Sequence, residues 1–285
     1  MRHARPGAVI VAAALACFAT GSASAACPSD EAIDAFVADW RAGTPAKAIA
    51  VDGTMEDALC AQGKVVERLQ ADLGPPVGYK AALTSPPVQE RFGVDQPVRG
   101  VLLEGMLLQN GATVPAHFGA RPVLEADLLV VVADAVVNAA STLQEVLQHV
   151  REVVPFIELA DLVLAEGEPI NGAVLTAINA GARRGVLGEP IAVEQSDAFL
   201  RSLAEMEVTM TDDGGNELAM AKGSAVLGHP LNSVLWLVES GVTLAPGDYV
   251  SVGSLGPLLP TAPGLTATAT YRGLPGDPKV TVSFE

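Results

Sequence analysis

Glu125 and Asp127 stand two residues apart in the otherwise apolar run from Val123 to Val132. On a strand that spacing projects both carboxylates from one face. Burying two like charges together without compensation costs several kcal/mol, and a bound divalent cation removes the conflict. Glu158 repeats the anomaly at the end of Val153-Val154-Pro155-Phe156-Ile157. Three oxygen donors, completed by water and a chelating substrate, make a six-coordinate site for Mg²⁺ or Mn²⁺. The competing reading is three solvent-facing acids at strand edges, and spacing alone leaves both open. His229-Pro230 at a helix start reads as a cap or packing contact before it reads as a base, and His117 and His149 carry less signal still. No CxxC or Cys/His spacing suggests zinc.

The elements that must position these residues fall into two parts. Ile33, Phe36, Val37 and Trp40 recur at helical spacing after Pro28-Ser29-Asp30, and Gly43 ends that helix. Thr54 opens a second helix, with Asp57 three residues on as a weak capping box, and Gly74-Pro75-Pro76 stops it. Ser85-Pro86-Pro87 starts a short third helix that ends at Gly93, so the first third reads as mainly helical. The character then changes. Residues 126–132 and 153–159 read as buried strands around a helix over 141–150. Residues 208–210 and 218–220 flank Asp212-Asp213-Gly214-Gly215, a hairpin signal. A helix is expected from His229 to Glu239, and strands over 249–252, 266–271 and 280–284. The expected class is α+β: a helical N-terminal part, residues 26–95, on a mixed β catalytic core, residues 96–285.

Several blocks together carry a resemblance. Residues 78–85 read Gly-Tyr-Lys-Ala-Ala-Leu-Thr-Ser and are similar to the G-Y-K-x-x-L-T-S stretch of the 2-keto-4-pentenoate hydratases, a branch of the fumarylacetoacetate hydrolase superfamily. Residues 100–106 resemble their G-x-L-x-D-x-M segment, with Glu104 where the family usually carries Asp. Residues 123–127 resemble their V-E-x-E metal element, with Asp127 for the second Glu, and residues 156–161 resemble the segment bearing the third ligand. Residues 225–237, including Gly228-His229-Pro230-Leu231-Asn232, are very close to A-L-G-H-P-L-N-x-V-x-W-L, and Gly253-Ser254-Leu255-Gly256-Pro257 is similar to G-x-L-G-P.

The resemblance implies a mixed β-sandwich or roll with flanking helices. It also implies one Mg²⁺ or Mn²⁺ held by Glu125, Asp127 and Glu158, and a small 2-oxo or 2-hydroxy-dienoic acid as substrate. Lys80 then serves as acid/base or carboxylate contact, with a pKa lowered by its surroundings. Glu104 is the second catalytic candidate, and Asn179, Ser254 and Leu255 are the substrate-binding ones. Two departures affect the substrate end. The family's D-S-R reads Asp161-Leu162-Val163, and its D-N-A-S reads Ile178-Asn179-Ala180-Gly181. Arg183 or Arg184 are the nearest replacements for the missing arginine. The implied activity is metal-assisted addition of water to a 2-hydroxy-dienoate. The alternatives are a C–C hydrolase or 2-oxo-acid decarboxylase of the same superfamily, or a non-catalytic extracytoplasmic carboxylate-binding protein. The resemblance is also what suggests a homo-oligomer.

Composition bounds the remainder. A cationic start with Arg2 and Arg5, a short apolar run and Ala23-Ser24-Ala25 read as a cleaved signal peptide over residues 1–25, hence a secreted or periplasmic protein. The apolar run falls short of the roughly 20 residues of a membrane-spanning helix, and no membrane association is expected after cleavage. Removing that segment leaves Cys27 and Cys60, a disulfide candidate in an oxidising compartment, with two free thiols as the alternative. The formal net charge of −16 disfavours nucleic acid and anionic lipid as partners.

Overall fold

The computed structural model describes residues 1, 3 and 27–285, so the expected signal segment lies outside the described residues apart from Met1 and His3. Helix α1 (Asp30–Ala42) begins at the Ser29 cap, whose hydroxyl accepts from Ala32 N. Helix α2 (Met55–Leu73) begins with a complete Thr54/Asp57 capping box. Strand β1 (Pro76–Ala82) follows, then α3 (Pro86–Phe92) and β2 (Val98–Leu103). Short strands β3 (Leu107–Gln109) and β4 (Thr113–Val114) lead into the long β5 (Pro122–Val132). Helix α4 (Leu143–Gln148) has its own capping box, from Thr142 and Glu145, and the equally long β6 (Val150–Asp161) comes next. The chain continues through α5 (Gly172–Ala177), β7 (Arg184–Leu187), β8 (Ile191–Ala192) and α6 (Asp197–Glu205). The hairpin β9 (Glu207–Thr211) and β10 (Glu217–Lys222) turns where Asp212 Oδ1 accepts from Asn216 N. Helix α7 (Asn232–Glu239) precedes β11 (Tyr249–Ser251), β12 (Leu259–Pro260), β13 (Thr266–Arg272) and β14 (Lys279–Phe284).

The strands form two sheets. The larger, of nine strands, runs β2-β1-β11-β5-β6-β7-β3, with β12 on β5 and β8 on β6. The smaller runs β10-β9-β13-β14-β4. The expected α+β class, a mixed β core with helices, is the architecture observed. One boundary differs. β1, which carries Lys80, lies within the segment expected to be helical and pairs into the large sheet between β2 and β11.

Strand alternation assigns the faces. Leu124, Leu128, Val130 and Val132 of β5, with Ile157 and Leu159 of β6, join the main core shared with Val208, Met210, Ala267, Tyr271 and Val282 of the smaller sheet. The intervening positions Leu129, Val131, Val154 and Phe156 line the opposite face, against Leu102. Glu125, Asp127 and Glu158 belong to that second face. Helices α1 and α2 build a separate core with α5 and with Ile178 and Ala182, which covers the segment beside β2. Cys27 and Cys60 are joined, with their Cα atoms 5.6 Å apart, which ties the chain entering α1 to α2. No helix among the described residues is long and apolar enough to cross a membrane.

Candidate metal and acid–base site

The β5/β6 ladder places Glu125 opposite Glu158, and Asp127 opposite Phe156. β11 lies between β5 and β1, with Ser251 opposite Leu129 on one side and Lys80 on the other. These registers gather Lys80, Glu125, Asp127 and Glu158 on one face. All four are almost fully buried, Lys80 at 2% exposure and Asp127 at 0%. The solvent-facing reading of the three acids is therefore not the one adopted.

Lys80 Nζ donates to Glu158 Oε1 and, at 3.2 Å, to the carbonyl of Ala180. Asp127 Oδ1 accepts from Leu128 N at 2.6 Å and Gly253 N at 3.0 Å, while Oδ2 accepts the Ser251 hydroxyl. Gly253 has φ 108°, a conformation that lets its N–H reach Asp127 and that a side chain would resist. Tyr271 reaches the same ladder from the smaller sheet. Its hydroxyl accepts from Phe156 N at 3.1 Å and lies 2.5 Å from the Asp127 carbonyl and 2.8 Å from that of Phe156, to one of which it donates. A tyrosine thus stands in for a direct rung beside Asp127.

The electrostatics are unbalanced, with one ammonium facing three carboxylates. Burial, and then the charge of Glu158, push Glu125 well above the usual carboxylate range. The same two causes raise Asp127 to about 7, against the opposing pull of its Ser251 and Leu128 hydrogen bonds. Burial by itself would lower Lys80, but Glu158, Glu125 and Asp127 outweigh it and hold the ammonium above its ordinary value. Without a cation the surrounding carboxylates thus act opposite to the lowering that the resemblance implies for a lysine beside a metal.

Do these residues suit a divalent cation? Among the described residues no group of three or more His, Cys, Asp or Glu side chains is arranged, as it stands, to hold a metal ion. Two features nonetheless fit. Glu158 Oε2 is buried and receives no hydrogen bond from any fixed donor, and such a carboxylate oxygen is costly unless a cation, or a proton carried by neighbouring Glu125, meets it. Asp127 Oδ2 accepts a single bond and keeps a lone pair free. A dication beside Glu125, Asp127 and Glu158 would also cancel the excess charge.

Of the other expected site residues, Asn179, Ser254 and Leu255 border the site with their polar groups bonded within the protein, while Glu104 stands apart. Glu104 is exposed on a 3₁₀ turn beside Gly74, because β2 ends at Leu103 and the chain leaves the face that Lys80 occupies. Leu255 is buried in the main core and its N–H bonds Ala126 O. The Ser254 hydroxyl donates to Gly256 O. Both polar atoms of the Asn179 amide are committed to Val101, its oxygen to N at 2.7 Å and its nitrogen to O at 2.9 Å. The Arg183 guanidinium is likewise spoken for. It bonds Phe118 O, Trp40 O and Asp161 Oδ2 and stacks over Trp40 with 4.3 Å to the ring centroid. His229 is a packing and cap residue, as expected. Ser251, Gly253, Tyr271 and the Ala180 carbonyl were not singled out from the sequence. Of these only Ser251 had a usable signal, a lone hydroxyl between Val250 and Val252.

No family model matches the chain. It is 32% identical over 203 residues to the 2-keto-4-pentenoate hydratase of Burkholderia vietnamiensis, covering 70% of this chain and 75% of that one. The chain belongs to the 2-keto-4-pentenoate hydratase family. It is also 28% identical over 225 residues to the 4-oxalocrotonate decarboxylase of Pseudomonas putida, covering 78% and 83% of the two chains. Among solved structures, the 4-oxalocrotonate decarboxylase from Pseudomonas putida G7 complexed with magnesium and adipate superposes with a TM-score of 0.78 at 26% identity, covering 90% of this chain and 96% of that one. The fumarylpyruvate hydrolase of Pseudomonas aeruginosa in complex with Mn²⁺ and pyruvate shares the fold at a TM-score of 0.54 and 15% identity, covering 73% and 89%. At the level of the family, these likenesses make the chain an enzyme of the metal-dependent lyase, hydratase or decarboxylase type.

Proposed function

We propose that this hydratase-family enzyme adds water to a small 2-hydroxy-dienoic or 2-oxo acid at the face formed by β1, β11, β5 and β6. The observation that carries the reading is the orphaned Glu158 Oε2 within a buried group of three carboxylates and one ammonium. Glu125, Asp127 and Glu158 would hold Mg²⁺ or Mn²⁺. Once bound, that ion supplies Lewis-acid polarisation of the substrate's 2-oxygen. Lys80 Nζ is already directed between Glu158 and the Ala180 carbonyl. From there it binds the substrate carboxylate or holds the proton destined for carbon. Ser251 and Gly253 keep Asp127 facing the site. Decarboxylation is the second reading, supported by the likeness to the decarboxylase structure over 90% of the chain. We further place the enzyme outside the cytoplasm, on the signal-like start and the Cys27–Cys60 pairing.

The test is a calorimetric titration of Mn²⁺ into the protein, with and without oxalate as a planar enolate mimic. The expected result is micromolar binding that tightens with oxalate. Absence of binding under both conditions would remove the metal assignment. Turnover of 2-hydroxypenta-2,4-dienoate against 4-oxalocrotonate then separates hydration from decarboxylation.

A further inference from the structure

The backbone over residues 179–181 is left-handed at three successive positions. Asn179, Ala180 and Gly181 have φ 61°, 51° and 69°. Two of these carry side chains, and a non-glycine residue there costs of order 1–3 kcal/mol. Such a segment persists only when its surroundings over-determine it, and here they do so from both ends. On one side the Asn179 amide grips Val101 on the free edge of β2, donating to its carbonyl and accepting from its N–H. On the other, Arg183 is fixed to Trp40, Phe118 and Asp161. Behind it, Gln62 of α2 donates to Arg99 O at 2.7 Å and Thr176 O at 2.9 Å, tying β2 to α5.

What this held segment presents is the Ala180 carbonyl, which accepts from Lys80 Nζ at 3.2 Å. The neighbouring Asn179 carbonyl and the lysine stem both crowd Gly100. A Cβ on Gly100 would meet the Asn179 carbonyl at 2.8 Å and Lys80 Cγ at 2.9 Å, so glycine is what lets stem, strand and turn share that space. A lysine has four rotatable bonds and no directional preference of its own. With Glu158 as its sole acceptor, the ammonium would be free to swing around that carboxylate. A second acceptor, the Ala180 carbonyl, restricts that swing.

We propose that Asn179 is a positioning residue for Lys80: its clamp on Val101 maintains the left-handed Asn179-Ala180 turn, and the turn's carbonyl fixes where the lysine ammonium points. The inference deepens the proposed function, since it rests on Lys80 acting at that site, but positioning can be read without turnover. The amide of Asn179 then serves the reaction through the backbone and makes no contact with substrate.

The test uses the full chain and its five lysines, at positions 47, 64, 80, 222 and 279. Reductive methylation followed by peptide mass spectrometry reads each lysine separately. Lys80 is buried and doubly engaged, so the wild-type protein should label there slowest. Asn179→Gly keeps the left-handed backbone and removes the clamp. It is expected to raise the Lys80 labelling rate at least tenfold while the other four lysines keep their wild-type rates. Asn179→Asp retains an acceptor for Val101 N–H and should restore most of the protection. Kinetically, Asn179→Gly should lower kcat with little change in KM for the dienoate. Wild-type protection of Lys80 in Asn179→Gly overturns the inference, and so does faster labelling of all five lysines together, which would mean general loosening. If the labelling result holds but Lys80→Met turns over normally, it is the catalytic reading of Lys80 that fails.

Discussion

At Lys80 the charge arithmetic decides the chemistry. The ammonium is the single positive group against Glu125, Asp127 and Glu158, and none of the four reaches solvent to any useful extent. Removing one partner of a buried pair leaves the other uncompensated, at a cost of about 3–5 kcal/mol. Lys80→Met keeps the stem and discards the charge, so its metal-free form should unfold in urea with roughly that loss of stability. Mn²⁺ at a hundredfold excess over its Kd should restore about 2.7 kcal/mol, because it binds the folded state alone. A variant as stable as wild type without metal would show that the buried acids do not depend on this ammonium, and the counter-charge account of Lys80 would fall. The acids themselves were legible in the sequence because each interrupts an apolar strand. Ser251 does the same more quietly, since a hydroxyl in a strand is unremarkable until its partner Asp127 is known. Glu104 shows the opposite failure. Its place in a motif was readable, but the end of β2 one residue earlier, which turns it to the surface, was not.

The entry to α7 has a built-in pH dependence, and it lies in His229. Nε2 is 2.9 Å from Leu200 O, and Nδ1 accepts from Leu231 N at 3.0 Å. That pattern needs a neutral ring with its proton on Nε2; a second proton on Nδ1 would face the Leu231 N–H. Burial accordingly lowers the pKa, with the Leu200 bond opposing in part. A folded-state pKa below the unfolded value means the unfolded chain takes up the proton first. His229 therefore contributes full stability above about pH 6.5, and that contribution is lost as pH falls from there through the folded pKa. The raised Asp127 and Glu125 act in the other direction over part of the same range, so the quantity to measure is a difference. Asn at position 229 can accept from Leu231 N and does not titrate. The stability gap between wild type and His229→Asn, followed by urea unfolding from pH 7.5 to 5, should narrow as pH drops. A gap independent of pH would mean His229 does not titrate there. At this scale the sequence was most readable where signals are local: the capping boxes, the hairpin at Asp212, and the apolar runs of β5 and β6. β1 and β2 were obscured because Gly78, Lys80 and Gly100 break the apolar pattern, for reasons that exist only once the strands are paired.

Over the whole molecule the site depends on contacts distant in sequence. Lys80 reaches Glu158 78 positions away, and Ser251 reaches Asp127 across 124. Local periodicity carries no information about such pairings, which is why the sheet order stayed hidden while its longest strands did not. The helical layer closes the arrangement, since α1 and α2 pack on Ile178 and Ala182, the residues flanking the strained turn. What holds α1 there is uneven. Its ion pairs, Arg41–Asp72, Lys64–Asp30 and Arg68 with Asp30 and Asp34, involve exposed carboxylates, and such pairs contribute little. The Cys27–Cys60 bond spans 33 residues, a loop whose closure is worth about 3.7 kcal/mol in the chain-entropy account. Reduction, or Cys60→Ser, should therefore lower the melting temperature by roughly 7–15 °C for a domain of this size. The loosening should also be local. Amide exchange should accelerate in α1 and around Ile178, while β5 and β6 stay protected. An unchanged melting temperature on reduction would mean that the apolar packing of Ile33, Phe36 and Val37 holds α1 unaided. Two free thiols in protein taken from its native compartment would remove the disulfide, and with it one of the two supports for placing the enzyme outside the cytoplasm.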